Sequence, residues 1–193
     1  MSSLFRSVKN LFNSPTTAQT KRPQSNTADT TPTVTAEETY PAETEKTYFC
    51  SPFTGELHPI TEAPDEAFAS KMTGDGFFVY PTDNTVYAPA DGTVTFVFDT
   101  KHAIGLTTAS GLEYLLHIGI DTVQLQGQGF TVPVQEGQSV KKGDVLMQFD
   151  REYVKNQASS DACLCVFTNL TASQSVHLLP IQSVQALDNA VWF

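Results

Sequence analysis

From residue 48 onward the chain reads as short runs of β-branched and aromatic residues, at 93–98, 104–109, 112–120, 145–149 and 163–168, separated by turn-forming residues. Turn signals recurring roughly every eight to twelve residues predict an all-β fold, an antiparallel β-sandwich or barrel-like single domain with short helical turns. Gly74, Gly76, Gly92, Gly111, Gly127, Gly129, Gly137 and Gly143 are expected at turns. Pro81, Pro89 and Pro133, which lack an N–H, are expected away from central ladder positions. Helical patterns within this region are confined to 63–69 and 152–157. Alternation in the last run turns Cys163 and Cys165 toward one face, where reduced structural thiols are expected.

Residues 1–12 follow a different period. Leu4, Phe5, Val8, Leu11 and Phe12 recur at helical spacing, Arg6 and Lys9 flank the stripe, and Pro15 stands just beyond it. A short amphipathic helix is predicted, suited to peripheral contact with an anionic lipid surface, and an unstructured tail of the same composition is the alternative. Residues 13–47 are rich in Thr, Ser, Ala, Pro, Gln and Glu, too polar to offset the entropy of ordering, and read as a flexible linker. The folded domain is expected over 48–193.

Composition narrows the function. Charged residues make up only 17% of the chain, which excludes a coiled coil. The net charge of −10 would repel a phosphate backbone, so a nucleic-acid partner is not expected. No apolar run is long enough to span a bilayer, and no secretory signal is evident, so the expected location is the cytoplasm with transient membrane association. The basic charge is unevenly placed: residues 1–22 hold four basic residues and no acidic one.

The candidate chemistry centres on histidine. His117 lies inside the most apolar run, where an imidazole is costly unless hydrogen-bonded or used. His102 stands fifteen positions earlier, and two short strands joined by a turn at Ser110-Gly111 would bring the two rings together on one face. On residue pattern alone, a satisfied core histidine and a functional pair remain open alternatives. His58 and His177 have no motif around them and are expected in exposed or ordinary structural positions.

Several motifs carry a resemblance. Phe98-Asp-Thr-Lys-His102, His117-Ile-Gly-Ile-Asp-Thr-Val123, Gly127-Gln-Gly-Phe130 and Glu136-Gly-Gln-Ser-Val-Lys-Lys-Gly-Asp144 resemble, in order, the glucose-type IIA component of the bacterial phosphoenolpyruvate-dependent sugar phosphotransferase system. Upstream, Ser51-Pro-Phe-Thr-Gly55, Ala67-Phe-Ala-Ser-Lys71, Gly74-Asp-Gly76 and Ala88-Pro-Ala-Asp-Gly92 continue the likeness. The resemblance implies a phosphocarrier in which His117 accepts a phosphoryl group from phospho-HPr and passes it to a cysteine of a IIB/IIC glucose-type permease. It further implies that His102 stabilises the phosphoryl group, that Thr100 orients His102, and that Asp121 lies at the rim facing the incoming donor. Asp65, Phe68, Phe98 and Leu115 would contribute to partner docking. No cofactor is obligatory, and zinc would be held by His102 and His117 only with a carboxylate from a partner and water. Adenylate cyclase, glycerol kinase and sugar permeases are the regulatory partners the family implies, with residues 1–12 helping at the membrane.

The sequence departs from the family at the docking face. Where the family tends to carry valines between 65 and 73, and a phenylalanine two residues before the phosphorylated histidine, this chain has Glu66, Ala67, Thr73 and Leu115. That makes the face more polar. A biotinyl or lipoyl carrier is the rival reading, with Lys71-Met72 imitating the modified dipeptide, but Lys71 precedes both hammerhead-like turns and a carrier gives His117 no role. A regulatory binding protein without transfer would not need both histidines, and a zinc peptidase would need a further ligand.

Overall fold

The alternating runs pair into antiparallel sheets in the computed structural model, which describes residues 46–193. The largest sheet runs in the order β13 (Ser183–Val184), β2 (Gly55–Pro59), β3 (Asp75–Pro81), β11 (Ser160–Phe167), β7 (Glu113–Ile120), β6 (Ala103–Thr108), β5 (Gly92–Val97) and β9 (Ser139–Val140). Two three-stranded sheets accompany it. One is β1 (Tyr48–Cys50), β14 (Asn189–Trp192) and β12 (His177–Leu178); the other is β4 (Thr85–Tyr87), β10 (Val145–Phe149) and β8 (Phe130–Thr131). The helix expected over 1–12 lies outside the described residues, as does the linker up to residue 45.

Alternation decides which side chains meet. Phe77 and Val79 of β3, Tyr114, Leu116 and Ile118 of β7, and Cys163 and Cys165 of β11 share the main core with Phe49, Val86, Phe130, Met147, Phe149 and Val191 from the smaller sheets. The two cysteines therefore face one way, as their spacing predicts, and both are free thiols. Edge-to-face contacts of Phe49 with Tyr114 and Phe167, at 5.2 and 4.9 Å between centroids, tie β1 to the large sheet. The opposite face of the same strands is also covered. Phe78, Leu164, Val166, Ala162 and Ile120 form a second apolar cluster with Ile60 and Ala63, against which Phe68 and Leu115 pack.

The two α-helices are short and capped by carboxylates. Helix α1 (Glu66–Ala69) begins after Asp65, whose Oδ1 accepts from the Ala67 and Phe68 amides at 2.9 and 3.2 Å. The helix expected from residue 63 is delayed to this cap, because a residue before proline, here Ala63 before Pro64, is driven out of the helical region. Helix α2 (Arg151–Gln157) is capped by Asp150, which accepts from the Tyr153 amide at 2.9 Å.

Two glycines depart from expectation. Gly76 and Gly92 lie within strands rather than turns. A Cβ at Gly76 would stand 2.1 Å from the Cys165 carbonyl oxygen across the β3–β11 ladder, so close backbone approach, not turn geometry, demands the glycine. Pro81 closes β3 opposite Gly55, at the strand end. Gly76→Ala is expected to lower unfolding free energy by about 2–3 kcal/mol, read as a reduced urea midpoint with unchanged slope.

Candidate active site

His102 and His117 are brought together by one hairpin. His117 sits in the middle of β7 opposite Ala103, the first residue of β6, and the Ile118 amide donates to the His102 carbonyl at 2.9 Å. His102 is delivered by a tight turn in which the Lys101 amide donates to the Phe98 carbonyl at 2.7 Å and Lys101 adopts a φ of 56°. The two imidazoles stand edge to face, 4.8 Å between centroids at 80°. Because Leu116 and Ile118 fill the main core, His117 points from the opposite face, beside Phe68 of α1 at 5.2 Å.

Hydrogen bonding distinguishes the ring nitrogens. Thr100 Oγ1 lies 2.7 Å from His102 Nδ1, so that nitrogen is occupied and Nε2 is the free end of the ring. His117 Nδ1 is sealed from solvent without a hydrogen-bond partner in ordinary geometry. Burial pushes the His117 pKa down to about 4, the neighbouring His102 adds to the depression, and the Gly119 backbone, Asp65 and Asp121 act in the opposite direction. Burial also lowers the pKa of His102. Both rings are thus neutral near pH 7, each with a lone pair on one nitrogen.

The segment after His117 is built as a tight reversal. Gly119 has a φ of 71°, and a Cβ there would meet Thr122 Cγ2 at 2.5 Å. Thr122, fully buried, donates its hydroxyl to the Ile118 carbonyl at 2.6 Å. Asp121 then adopts a left-handed conformation, φ 62°, and its Oδ2 accepts a short hydrogen bond from Ser159 Oγ. Ser159 was not singled out by sequence reasoning; it lies 38 positions away and has no motif around it.

The remaining expected site residues divide. Phe98 is tilted against His102 at 5.2 Å and remains 39% exposed. Leu115 is half-buried and packs against the second apolar cluster, and Asp65 has one oxygen committed to capping α1 while its charge acts on His117. Met72, three positions after α1, and Val123, two after Asp121, are exposed large apolar side chains, 66% and 49% accessible. Sequence reasoning did not single out either one.

Other histidines stay apart from this pair. His58 stacks on Phe78 at 5.0 Å with Glu56 and Glu62 within 3.5 Å, and His177 stacks on Trp192 at 4.1 Å. Among the described residues no group of three or more His, Cys, Asp or Glu gathers at metal-binding distances, so the pair offers two imidazole ligands and no more. Lys71 follows α1 and pairs with Asp75 at 2.9 Å, unlike a lysine displayed at a hairpin tip. No helix among the described residues is long and apolar enough to cross a membrane.

Residues 47–173 match the family model described as phosphoenolpyruvate-dependent sugar phosphotransferase system, EIIA 1. The solved structure of glucose permease IIA from Mycoplasma capricolum is similar, with a TM-score of 0.71 and 35% identity over 77% of this chain and 96% of that one. Its β-sandwich is the architecture adopted here, and the chain belongs to the EIIA 1 family of the phosphoenolpyruvate-dependent sugar phosphotransferase system.

Proposed function

We propose that this chain is a glucose-type phosphocarrier in which His117 accepts a phosphoryl group from phospho-HPr and delivers it to the cysteine of a IIB/IIC permease. The observation that carries the reading is the edge-to-face pair of neutral imidazoles with Nδ1 of His102 taken by Thr100 and Nδ1 of His117 sealed. That leaves Nε2 of His117 as the nucleophile. Its lone pair attacks phosphorus in line, the P–N bond to the donor breaks as P–Nε2 forms, and the electron pair stays with the donor imidazole. When Thr100 donates to His102 Nδ1, the proton of the neutral His102 ring resides on Nε2, aimed at the phosphoryl oxygens. A fixed donor there stabilises charge as it spreads in a loose transition state.

Asp121, held by Ser159, supplies a rim carboxylate complementary to a cationic docking surface on HPr, and Phe68, Phe98, Met72 and Val123 supply apolar contact. Leu115, half-buried on the same face of β7 as His117, adds to that contact. The docking contribution of Asp65 comes through its charge and through the placement of α1. Zinc would require a carboxylate from a partner beyond the two imidazoles of this chain.

Reconstituted labelling from phosphoenolpyruvate, Enzyme I and HPr tests the roles separately. His117→Gln is expected to take up no label, whereas His102→Gln accepts label and passes it to IIB at least about a hundredfold more slowly. Normal labelling of the His117 variant would refute the assignment. Thr100→Val should slow transfer about tenfold, the loss of one hydrogen bond of roughly 1–1.5 kcal/mol, with Thr100→Ser restoring it.

Burial of the rings also sets a pH dependence. Above about 6.5 His117 is neutral in both folded and unfolded chains and contributes no slope. Below that, the unfolded chain takes up a proton that the native ring refuses, so stability falls until pH reaches about 4, where the native ring titrates. The decline attributable to His117 is up to about 3 kcal/mol. Urea midpoints of wild type and His117→Gln, compared between neutral pH and about 4, should show a shallower decline in the variant.

A further inference from the structure

Cys50 ends β1, 7% exposed, and has a lysine amine directly against its sulfur: Lys142 Nζ lies 2.9 Å from Cys50 Sγ. Ordinary N–H···S contacts are longer than N–H···O bonds because sulfur is larger, yet this separation matches the N–H···O range. The approach is held from both sides. Asp91 accepts from the Lys142 amide at 2.9 Å and from Lys141 Nζ at 2.8 Å, which fixes the turn between β9 and β10 that carries Lys142. Cys50 Sγ meets Asn189 Oδ1 of β14 at 3.4 Å on its other side. A nucleophilic sulfur and an amine from segments 92 positions apart are thus placed in reacting proximity.

We infer that Cys50 and Lys142 form an oxidation-dependent covalent link, with a hydroperoxide such as hydrogen peroxide as the oxidant. Sulfur attacks the peroxide, the O–O bond breaks, and Cys50 becomes a sulfenic acid with release of water. Lys142 Nζ then attacks sulfur, the S–N bond forms as the S–O bond breaks, and the hydroxyl leaves as water with a proton from the amine. One thiol, one ammonium and one peroxide give one sulfenamide, two waters and one proton. The two-electron oxidation of sulfur balances reduction of the peroxide, and thiols reverse the link by attack at the same sulfur. The remaining cysteines do not compete: burial keeps the Cys163 and Cys165 thiols protonated well above the ordinary range. Once formed, the bond fastens the first strand of the domain to the β9–β10 turn.

The test is peptide mapping of the full chain, reduced, freed of reductant, exposed to hydrogen peroxide and digested without reduction. The expected product is a joined peptide pair containing Cys50 and Lys142, lighter by two hydrogens than its parts, and released by dithiothreitol. Lys142→Arg, which retains the cation without a nucleophilic amine, and Cys50→Ser should both lack it. Cys50 recovered unmodified, as sulfinic acid beside an unmodified Lys142, or in a disulfide between chains would overturn the inference.

Discussion

The hydrogen bond from the Ile118 amide to the His102 carbonyl, 2.9 Å long, is the constraint on which the site depends. It fixes the β6–β7 register so that Ala103 faces His117, and the residue immediately before β6 emerges beside the middle of β7. A slip of one residue would turn His117 and Glu113 into the main core and expel Tyr114, Leu116 and Ile118. Burying an unpaired imidazole and a carboxylate is costly enough to oppose that slip. The apolar alternation that folds the sheet is therefore also what sets the two rings 4.8 Å apart.

Elements governed by period and local chemistry were legible in the sequence. The run at 145–149 coincides with β10, and those at 104–109 and 112–120 match β6 and β7 within one residue at each end. Cys163 and Cys165 share a face because strand geometry leaves no choice. The pairing of His102 and His117 followed from two strands and a turn, whereas the role of Thr100 came only through family likeness.

What stayed hidden depends on approach between distant segments. Gly76 reads as a turn glycine until the Cys165 carbonyl is seen across the ladder, and no feature of residues 74–76 announces it. Ser159 meets Asp121 because β11 begins beside the end of β7, where the Ser159 amide donates to the Ile120 carbonyl at 3.1 Å. Lys142 meets Cys50 across 92 positions, on a turn that Asp91 helps to hold in place. Such contacts have no period and no short-range signature, since each is fixed by tertiary packing.

The electrostatics at His117 connect fold to function. Apolar packing from Phe68 and the surrounding sheet removes water from the ring and favours its neutral form, while Asp65 and Asp121 pull toward protonation without prevailing. Asp65 cannot move away, because its side chain also caps α1, the helix that carries Phe68. On the proposed reading, a phosphoryl group arriving on Nε2 brings negative charge toward both carboxylates, and the His102 N–H opposes that repulsion. The burial that leaves His117 nucleophilic also lowers the pKa of His102, so the ring beside the phosphoryl group donates as a neutral imidazole rather than as a cation. A group steadied by a neutral donor is held less tightly than one paired with arginine or lysine, which suits onward transfer.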